Sequence, residues 1–553
     1  MLSEFYLGLA ALGLAYGLFA FGLDLVWGRA GIVSIGHAVF FGAGAYGVAI
    51  AKVHAAPPVL GGAAGIAAAA ALALAIGGAG LRRKATPSTM AVLTLGVTLL
   101  GAQVATAWVG VTGGTNGLLV LTGLSGAATM WCCLAVAAAV VALCQVLVFR
   151  APLGNRLTAL RLNPQRARHL GIDTQRLGLL ALAMGAAIAA LAGAVAAPLA
   201  GLISPEVVGI LLSTQVLIWV ALGGRNTLLG PFAGAMLATL GQNLLTDVSL
   251  SYYLLLLGAL FVVVVIVAPD GLVGWLRRPV EVRPAWRPLR RSAAWVTALP
   301  DGPRASPPDG STTPPPSAAR QGQAVAVSGV VKRYGGTPAV DGVSIAVAAG
   351  EIVCLVGPNG AGKTTLLDVI SGDLEADEGR VLVLGHDVSR APVHRRARLG
   401  LARTFQTPSL FGTLTVGEHL TLARQEARGT QQLPESYRRL EDSLSGVAAE
   451  RLSLGDRRSL EIAVALAGGP RLLLLDEPAA GLSPDEAHEL ARALLAVRDQ
   501  LGCAMLAVEH DMEIVRMLAD RVVVLHQGAV LRQGSFEEVH VDGRVRDAYL
   551  GVT

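Results

Sequence analysis

Apolar residues run almost unbroken through the first half of the chain and alternate with polar ones through the second. Nine apolar stretches precede the change, at about 5–26, 31–53, 58–80, 87–110, 127–149, 177–203, 207–223, 227–246 and 252–274. A helix needs roughly 20 apolar residues to cross the hydrocarbon of a bilayer, so each stretch is a candidate span, the short seventh the least typical. The first is not a convincing signal peptide, because it carries Glu4, lacks a basic leader and is followed at once by another apolar stretch. From about Val325 onward, short strand-like runs and charged helical runs take over. The predicted organisation is a polytopic α-helical membrane domain over 1–278, a linker over 279–320 and an α/β domain over 321–553. Membrane lipid is therefore an expected partner.

The linker is rich in Pro, Arg, Ser and Ala and shows no apolar periodicity, which is the composition of a tether. It would hold the two halves at high effective concentration. Trp286 and Trp295, set among arginines, suit a membrane surface.

Charge orients the spans. The basic loops are Arg82-Arg83-Lys84, the segment 150–176, Arg225 and Arg277-Arg278. If positive loops stay inside, an even number of spans must separate each successive pair, and the nine stretches meet that condition. The N-terminus and the turn Thr112–Gly117 then lie outside, and the C-terminal domain lies on the cytoplasmic side. That Gly-rich turn could line a solute path or be an ordinary tight turn. The interior loop 150–176 contains a predicted short helix ending near Gly171, placed either to receive force from a cytosolic domain or to lie as a basic loop at the lipid headgroups. Asp24 and His37 fall near predicted span ends, where interfacial or packing roles are expected.

Composition adds three points. The chain has 553 residues, of which 53% are hydrophobic and 15% charged, and 67 are glycine. Glycines such as Gly28, Gly31, Gly36, Gly42, Gly44 and Gly47 would let helix backbones approach closely in lipid. The net charge of +5 arises largely beside apolar spans, as membrane orientation requires, so nucleic acid is not an expected partner. None of the five cysteines has metal-ligand spacing, and small apolar packing without disulfides is expected.

The chemistry of the second half centres on Gly357-Pro358-Asn359-Gly360-Ala361-Gly362-Lys363-Thr364-Thr365. It fits the phosphate-binding pattern G-x-x-x-x-G-K-[ST], one of the standard motif examples. It follows the apolar run Ile352–Val356 and opens a helix-forming run, the strand–loop–helix context in which main-chain N–H groups cradle phosphates. Lys363 should reach the β- and γ-phosphates of a nucleoside triphosphate, and the Thr364 hydroxyl should hold Mg²⁺. Downstream, Leu472–Leu475 reads as a buried strand ending in Asp476. Asp476 is expected to hold Mg²⁺, and Glu477 to polarise the attacking water.

Further motifs carry a resemblance. Leu452-Ser453-Leu454-Gly455-Asp456 resembles the ABC signature, and Leu460-Glu461-Ile462-Ala463 suits the helix after it. Gln406, in Arg403-Thr404-Phe405-Gln406, is similar to the Q-loop glutamine, which works at the metal and the water. His510, in Glu509-His510-Asp511-Met512, is similar to the switch histidine, and Tyr334 falls where the family stacks a ring on adenine. Ala480-Gly481-Leu482-Ser483-Pro484 and Ala548-Tyr549-Leu550-Gly551 resemble the ATPases of branched-chain amino acid and urea importers. In the membrane half, Gly31–Tyr46, Thr112–Leu118, Leu222–Pro231 and Pro269-Asp270-Gly271-Leu272 resemble the permeases of the same importers. The 163–172 loop is similar to the coupling motif of ABC importers, although it lacks the acidic residue usual there.

The resemblance implies an ATP-hydrolysing importer subunit of the inner (plasma) membrane, with permease and ATPase in one chain. Its substrates would be branched-chain or related amino acids; urea and short amides are the alternative, and an exporting or non-transporting ABC protein is a further one. It implies catalytic Glu477, His510 and Gln406, and a nucleotide site from Tyr334, Gly357–Thr365 and, toward an opposing ATPase, Ser453 and Gly455. Mg²⁺ would be held by Thr364, Gln406 and Asp476. A separate periplasmic or extracellular solute-binding protein is implied, with a second permease and a second ATPase, distinct or as a homodimer. Two departures stand out. Asp456 replaces the usual Gln of the signature and Leu454 its first glycine, and the segment from Gln406 to Leu452 looks short.

Overall fold

The computed structural model describes residues 2–81, 87–120, 126–149, 152–246, short helical pieces between 258 and 273, 322–426 and 433–550. The basic loop Arg82-Arg83-Lys84, most of the stretch 252–274 with Pro269-Asp270, the linker 279–320 and Gly551 lie outside the described residues. The chain forms two compact units. One comprises Met1–Leu162 with Thr174–Trp286, the other Asn163–Asp173 with Arg287–Thr553.

The helices up to residue 246 are α1 (Leu2–Asp24), α2 (Ala38–Val53), α3 (Pro58–Gly80), α4 (Pro87–Ala107), α5 (Gly126–Cys144), α6 (Pro152–Leu162), α7 (Pro164–His169), α8 (Thr174–Ala200), α9 (Ile210–Gly223) and α10 (Gly230–Thr246). Among the described residues five helical segments are long and apolar enough to cross a membrane: Glu4–Arg29, Pro58–Gly80, Ser88–Ala107, Ala127–Val148 and Thr174–Ala200. α2 and α9 are apolar but shorter. The stretch expected from residue 31 becomes helical only at Ala38. Gly31 has a left-handed φ of 73°, and the irregular backbone after it is satisfied from α4. Ile35 N–H donates to Thr94 Oγ1 at 3.1 Å, and Thr98 Oγ1 donates to the Gly36 carbonyl at 2.8 Å. Non-helical backbone inside a membrane domain requires such partners.

Close approach explains two of the glycines. At the crossing of α2 and α8 a Cβ on Gly44 would lie 1.8 Å from the Ala190 carbonyl oxygen, and one on Gly193 would lie 1.9 Å from that of Phe41. Small residues are what permit such backbone contact in lipid. Asp24 and His37 are buried. Asp24 Oδ1 accepts the Asn226 N–H at 2.8 Å, tying the end of α1 to the Leu222–Pro231 motif, and His37 stacks on Phe19 at 5.7 Å. The Thr112 hydroxyl lies 2.6 Å from the Ala105 carbonyl and 2.8 Å from that of Trp108, the internal bonding of a tight turn.

The second unit contains two sheets. Its strands are β1 (Gln323–Tyr334), β2 (Thr337–Ala348), β3 (Ile352–Val356), β4 (Glu378–Val383), β5 (His386–Asp387), β6 (Leu401–Arg403), β7 (Leu472–Asp476), β8 (Ala504–Val508), β9 (Arg521–His526) and β10 (Ala529–Gly534). The central sheet runs β10-β9-β3-β8-β7-β6, parallel except for the edge strand β10. β3, β7 and β8 are buried along their whole length, which is why they read as unbroken apolar runs. β2-β1-β4-β5 form an antiparallel sheet. The helices used below are α11 (Lys363–Ser371) and α12 (Leu454–Ala467).

Asn163–Asp173 is flanked in sequence by α6 and α8, yet its contacts place it in the second unit. The Asn163 side chain caps α7 by accepting the Arg166 N–H at 2.9 Å, and Leu170 packs against the core of the α/β unit. Asn163 Nδ2 also donates to Ser409 Oγ at 3.0 Å.

Candidate nucleotide site

The phosphate-binding loop leaves the buried strand β3 and enters α11 at Lys363. Gly362 has a φ of 98°, and a Cβ there would lie 2.2 Å from the Ala339 carbonyl, so both backbone and space demand glycine. Lys363 Nζ donates to the carbonyls of Gly357 at 2.7 Å and Pro358 at 3.0 Å, closing the loop on itself. Burial lowers the lysine pKa, opposed by the charges of Glu477 and Asp476. Thr364 is exposed in the first turn of α11, and Tyr334 is 51% exposed at the end of β1.

Glu477 follows β7 with a φ of 47°, uncommon for a side chain of its size. Its N–H donates to the Val508 carbonyl at 3.0 Å, which ties the residue to the end of the neighbouring strand β8. The carboxylate is shared: Gln406 Nε2 donates to Oε2 at 3.0 Å, and His510 Nε2 meets Oε1 at 2.8 Å. An ionised carboxylate only accepts, so the imidazole is the donor. Gln406, Glu477 and His510, distant in sequence, thus meet on one carboxylate.

Asp476 is 3% exposed at the end of β7. Burial pushes its pKa up, and the Arg403 guanidinium, 3.3 Å away, pulls it back. The oxygen donors Thr364, Asp476 and the Gln406 amide form a hard donor set of the kind Mg²⁺ takes. Among the described residues no cluster of three His, Cys, Asp or Glu could cage a metal alone.

Ser453 caps α12. Its hydroxyl accepts the Asp456 N–H at 3.1 Å and donates to Asp456 Oδ2 at 2.6 Å. The carboxylate that departs from the usual signature is therefore turned onto the serine. A Cβ on Gly455 would lie 3.5 Å from Glu486 Oε1 and 3.9 Å from Leu482.

The glutamine loop is held by two groups whose role no local sequence motif shows. Arg458 and Glu461, both buried on α12, clamp it. Arg458 Nη2 donates to the Gln406 carbonyl at 2.6 Å, while Glu461 Oε1 accepts from Phe405 N–H at 3.2 Å and Ser409 N–H at 3.0 Å. The available signal was an Arg and a Glu three apart inside an apolar helix, an i,i+3 pair with no solvent face to serve.

Residues 340–480 match the family described as ABC transporter, and residues 5–265 match the branched-chain amino acid transport system permease component. The chain is 36% identical over 246 residues to the high-affinity branched-chain amino acid transport ATP-binding protein BraF of Pseudomonas aeruginosa, covering 41% of this chain and 96% of that one. The chain belongs to the ABC transporters. It is also 35% identical over 248 residues to LivG of Escherichia coli K12, covering 41% of this chain and 97% of that protein. LivG too is described as a high-affinity branched-chain amino acid transport ATP-binding protein. This ABC transporter therefore joins in one chain a permease half and an ATPase half, and is related to branched-chain amino acid transporters.

Proposed function

We propose that this ABC transporter hydrolyses ATP to drive uptake of branched-chain or related amino acids across the inner membrane, with its ATPase half in the cytoplasm. The permease match and the names of its relatives favour that substrate class over the urea and short amides that the sequence leaves as an alternative. The organisation 1–278, 279–320 and 321–553 suits a permease tethered to its own ATPase. A solute-binding protein would deliver substrate, and a second, distinct permease and ATPase would complete the two nucleotide sites. Asp456, turned onto Ser453, supports the heteromer over a homodimer, because an assembly with one regular signature tolerates a weakened one better.

In this reading the Gly357–Thr365 backbone cradles the triphosphate, Lys363 exchanges its carbonyl partners for β- and γ-phosphate oxygens, and Tyr334 stacks on the base. Thr364, Asp476 and Gln406 would hold Mg²⁺, which neutralises developing phosphate charge. Glu477 orients the attacking water and takes its proton, held ready by Gln406 and His510. Closure of two ATPase halves, with Ser453 and Gly455 of one facing the triphosphate of the other, switches the permease between its two accesses.

The observation carrying the catalytic reading is the Glu477 carboxylate shared between Gln406 and His510. It is tested in vesicles holding the assembled transporter, with ATPase and solute uptake measured with and without binding protein. Uptake of a labelled branched-chain amino acid that needs both ATP and the binding protein is expected. Hydrolysis without uptake of amino acid, urea or amide would overturn the transport reading.

A further inference from the structure

We propose that Arg403 is a positioning residue that ties the seating of Asn163–Asp173 to the carboxylate of Asp476. The proposal rests on the reading of Asp476 as a Mg²⁺ ligand.

Arg403 is 2% exposed and its guanidinium stands among three carboxylates. Nη1 lies 2.6 Å from Asp368 Oδ1 and 3.1 Å from Asp373 Oδ2, and Nη2 lies 3.3 Å from Asp476 Oδ2. Asp368 belongs to α11, Asp373 follows it, and Asp476 ends β7, so one side chain spans the phosphate-loop helix and the metal strand. β6 itself pairs in register with β7, Arg403 opposite Leu474.

The inserted segment grips this residue at two points. Arg166, 1% exposed, donates from Nη1 to the Arg403 carbonyl at 2.9 Å and from Nη2 to the Glu461 carbonyl at 3.1 Å. His169 Nε2 meets Asp373 Oδ2 at 2.9 Å, the same oxygen that accepts from Arg403 and, at 2.8 Å, from Ser371 Oγ. Burial would raise the Asp373 pKa, but His169 and Arg403 bring it well below the usual carboxylate range.

Asp373 Oδ2 is thus a node with donors from three directions. Removing the His169 donor leaves a half-buried carboxylate short of one partner, so that it draws more on Nη1. A guanidinium is planar and rigid, so a shift of Nη1 toward Asp373 moves Nη2 relative to Asp476. With the segment seated, Arg403 is shared and Asp476 is held in one orientation. With it displaced, that orientation is lost. Because α6 and α8 flank the segment in sequence, the contact gives the membrane half a route to the metal carboxylate that does not pass through Gln406.

The test uses the full transporter complex in nanodiscs. Binding of the fluorescent nucleotide MANT-ATP is measured in Mg²⁺ and in EDTA for the unaltered chain, His169→Ala, His169→Gln and Arg403→Lys. Gln retains an N–H donor near the position of Nε2 and is the conservative rescue. His169→Ala is expected to reduce the Mg²⁺-dependent gain in affinity about 3- to 10-fold with affinity in EDTA unchanged, His169→Gln to restore most of it, and Arg403→Lys to lose at least as much as His169→Ala. If Arg403→Lys fails to assemble, the two His169 variants decide. Equal loss in Mg²⁺ and EDTA, identical behaviour of Ala and Gln, or no change would overturn the proposal. An unaltered chain whose affinity ignores Mg²⁺ would overturn both this proposal and the metal role of Asp476.

Discussion

The Ser453 hydroxyl donates to Asp456 Oδ2 at 2.6 Å, so the serine of the signature is engaged by the residue that replaces the usual glutamine. A glutamine amide would accept more weakly than a carboxylate. Asp456→Gln is therefore expected to release the hydroxyl while Ser453 still caps α12 through its acceptor side. Steady-state ATPase of the assembled complex should rise modestly, up to about 3-fold, or stay level if the other site carries the turnover. A loss of more than 10-fold would show that the carboxylate is needed at the site.

Glu477→Gln keeps the shape of the side chain but removes the base. In an assembly whose other site is inactivated, nucleotide binding should persist while hydrolysis falls by at least 100-fold. Lys363→Ala should instead weaken nucleotide binding itself, since the ammonium is the loop's own cation. Near-normal hydrolysis by Glu477→Gln would remove Glu477 from the mechanism.

Glu509 supplies a pH dependence. It is buried next to His510, and burial pushes its pKa up to about 7, partly offset by the N–H groups of Ala479 and His510. The folded chain then binds a proton that the unfolded chain has released, so stability is greatest below the ordinary glutamate pKa and declines as pH rises toward 7. The span corresponds to up to about 3 kcal/mol. Glu509→Gln should flatten the decline in ATPase-half melting temperature between about pH 5 and 7. An unchanged slope would mean that the carboxyl is solvated in the folded state.

Sidedness is open to chemical labelling. Asn116 is exposed in the turn after α4, and Gln175 is exposed at the start of α8, whereas Arg166 is too buried to serve as a probe. In a chain freed of its five cysteines, Asn116→Cys should react with an impermeant maleimide added from outside intact cells, and Gln175→Cys should react only after permeabilisation. The reverse pattern would invert the orientation deduced from charge.

The candidate nucleotide site was legible because its motif is local. Nine consecutive residues, Gly357–Thr365, carry the turn, the cation and the hydroxyl, and the run Leu472–Leu475 announces a buried strand that must end at Asp476. Apolar length likewise marked the membrane half without reference to any neighbour. Helix starts were less legible: Ile35 and Gly36 lie in an apolar run, but their backbone groups are satisfied by Thr94 and Thr98 instead of by a helix. Hidden altogether was what lies between distant segments. Arg403 occurs in a strand-like stretch and His169 in a basic loop, and nothing in their neighbours' sequence says that both meet Asp373. A buried charge finds its counter-charges through space, across 204 residues in the case of His169. Sequence determined which elements form and where the Gly357–Thr365 loop joins strand to helix, because helix period, strand burial and loop geometry act over a few residues. Tertiary structure alone decided that Glu477 is shared by Gln406 and His510 and that Asn163–Asp173 belongs with the α/β unit, because ion pairs and packing are set by distance in space.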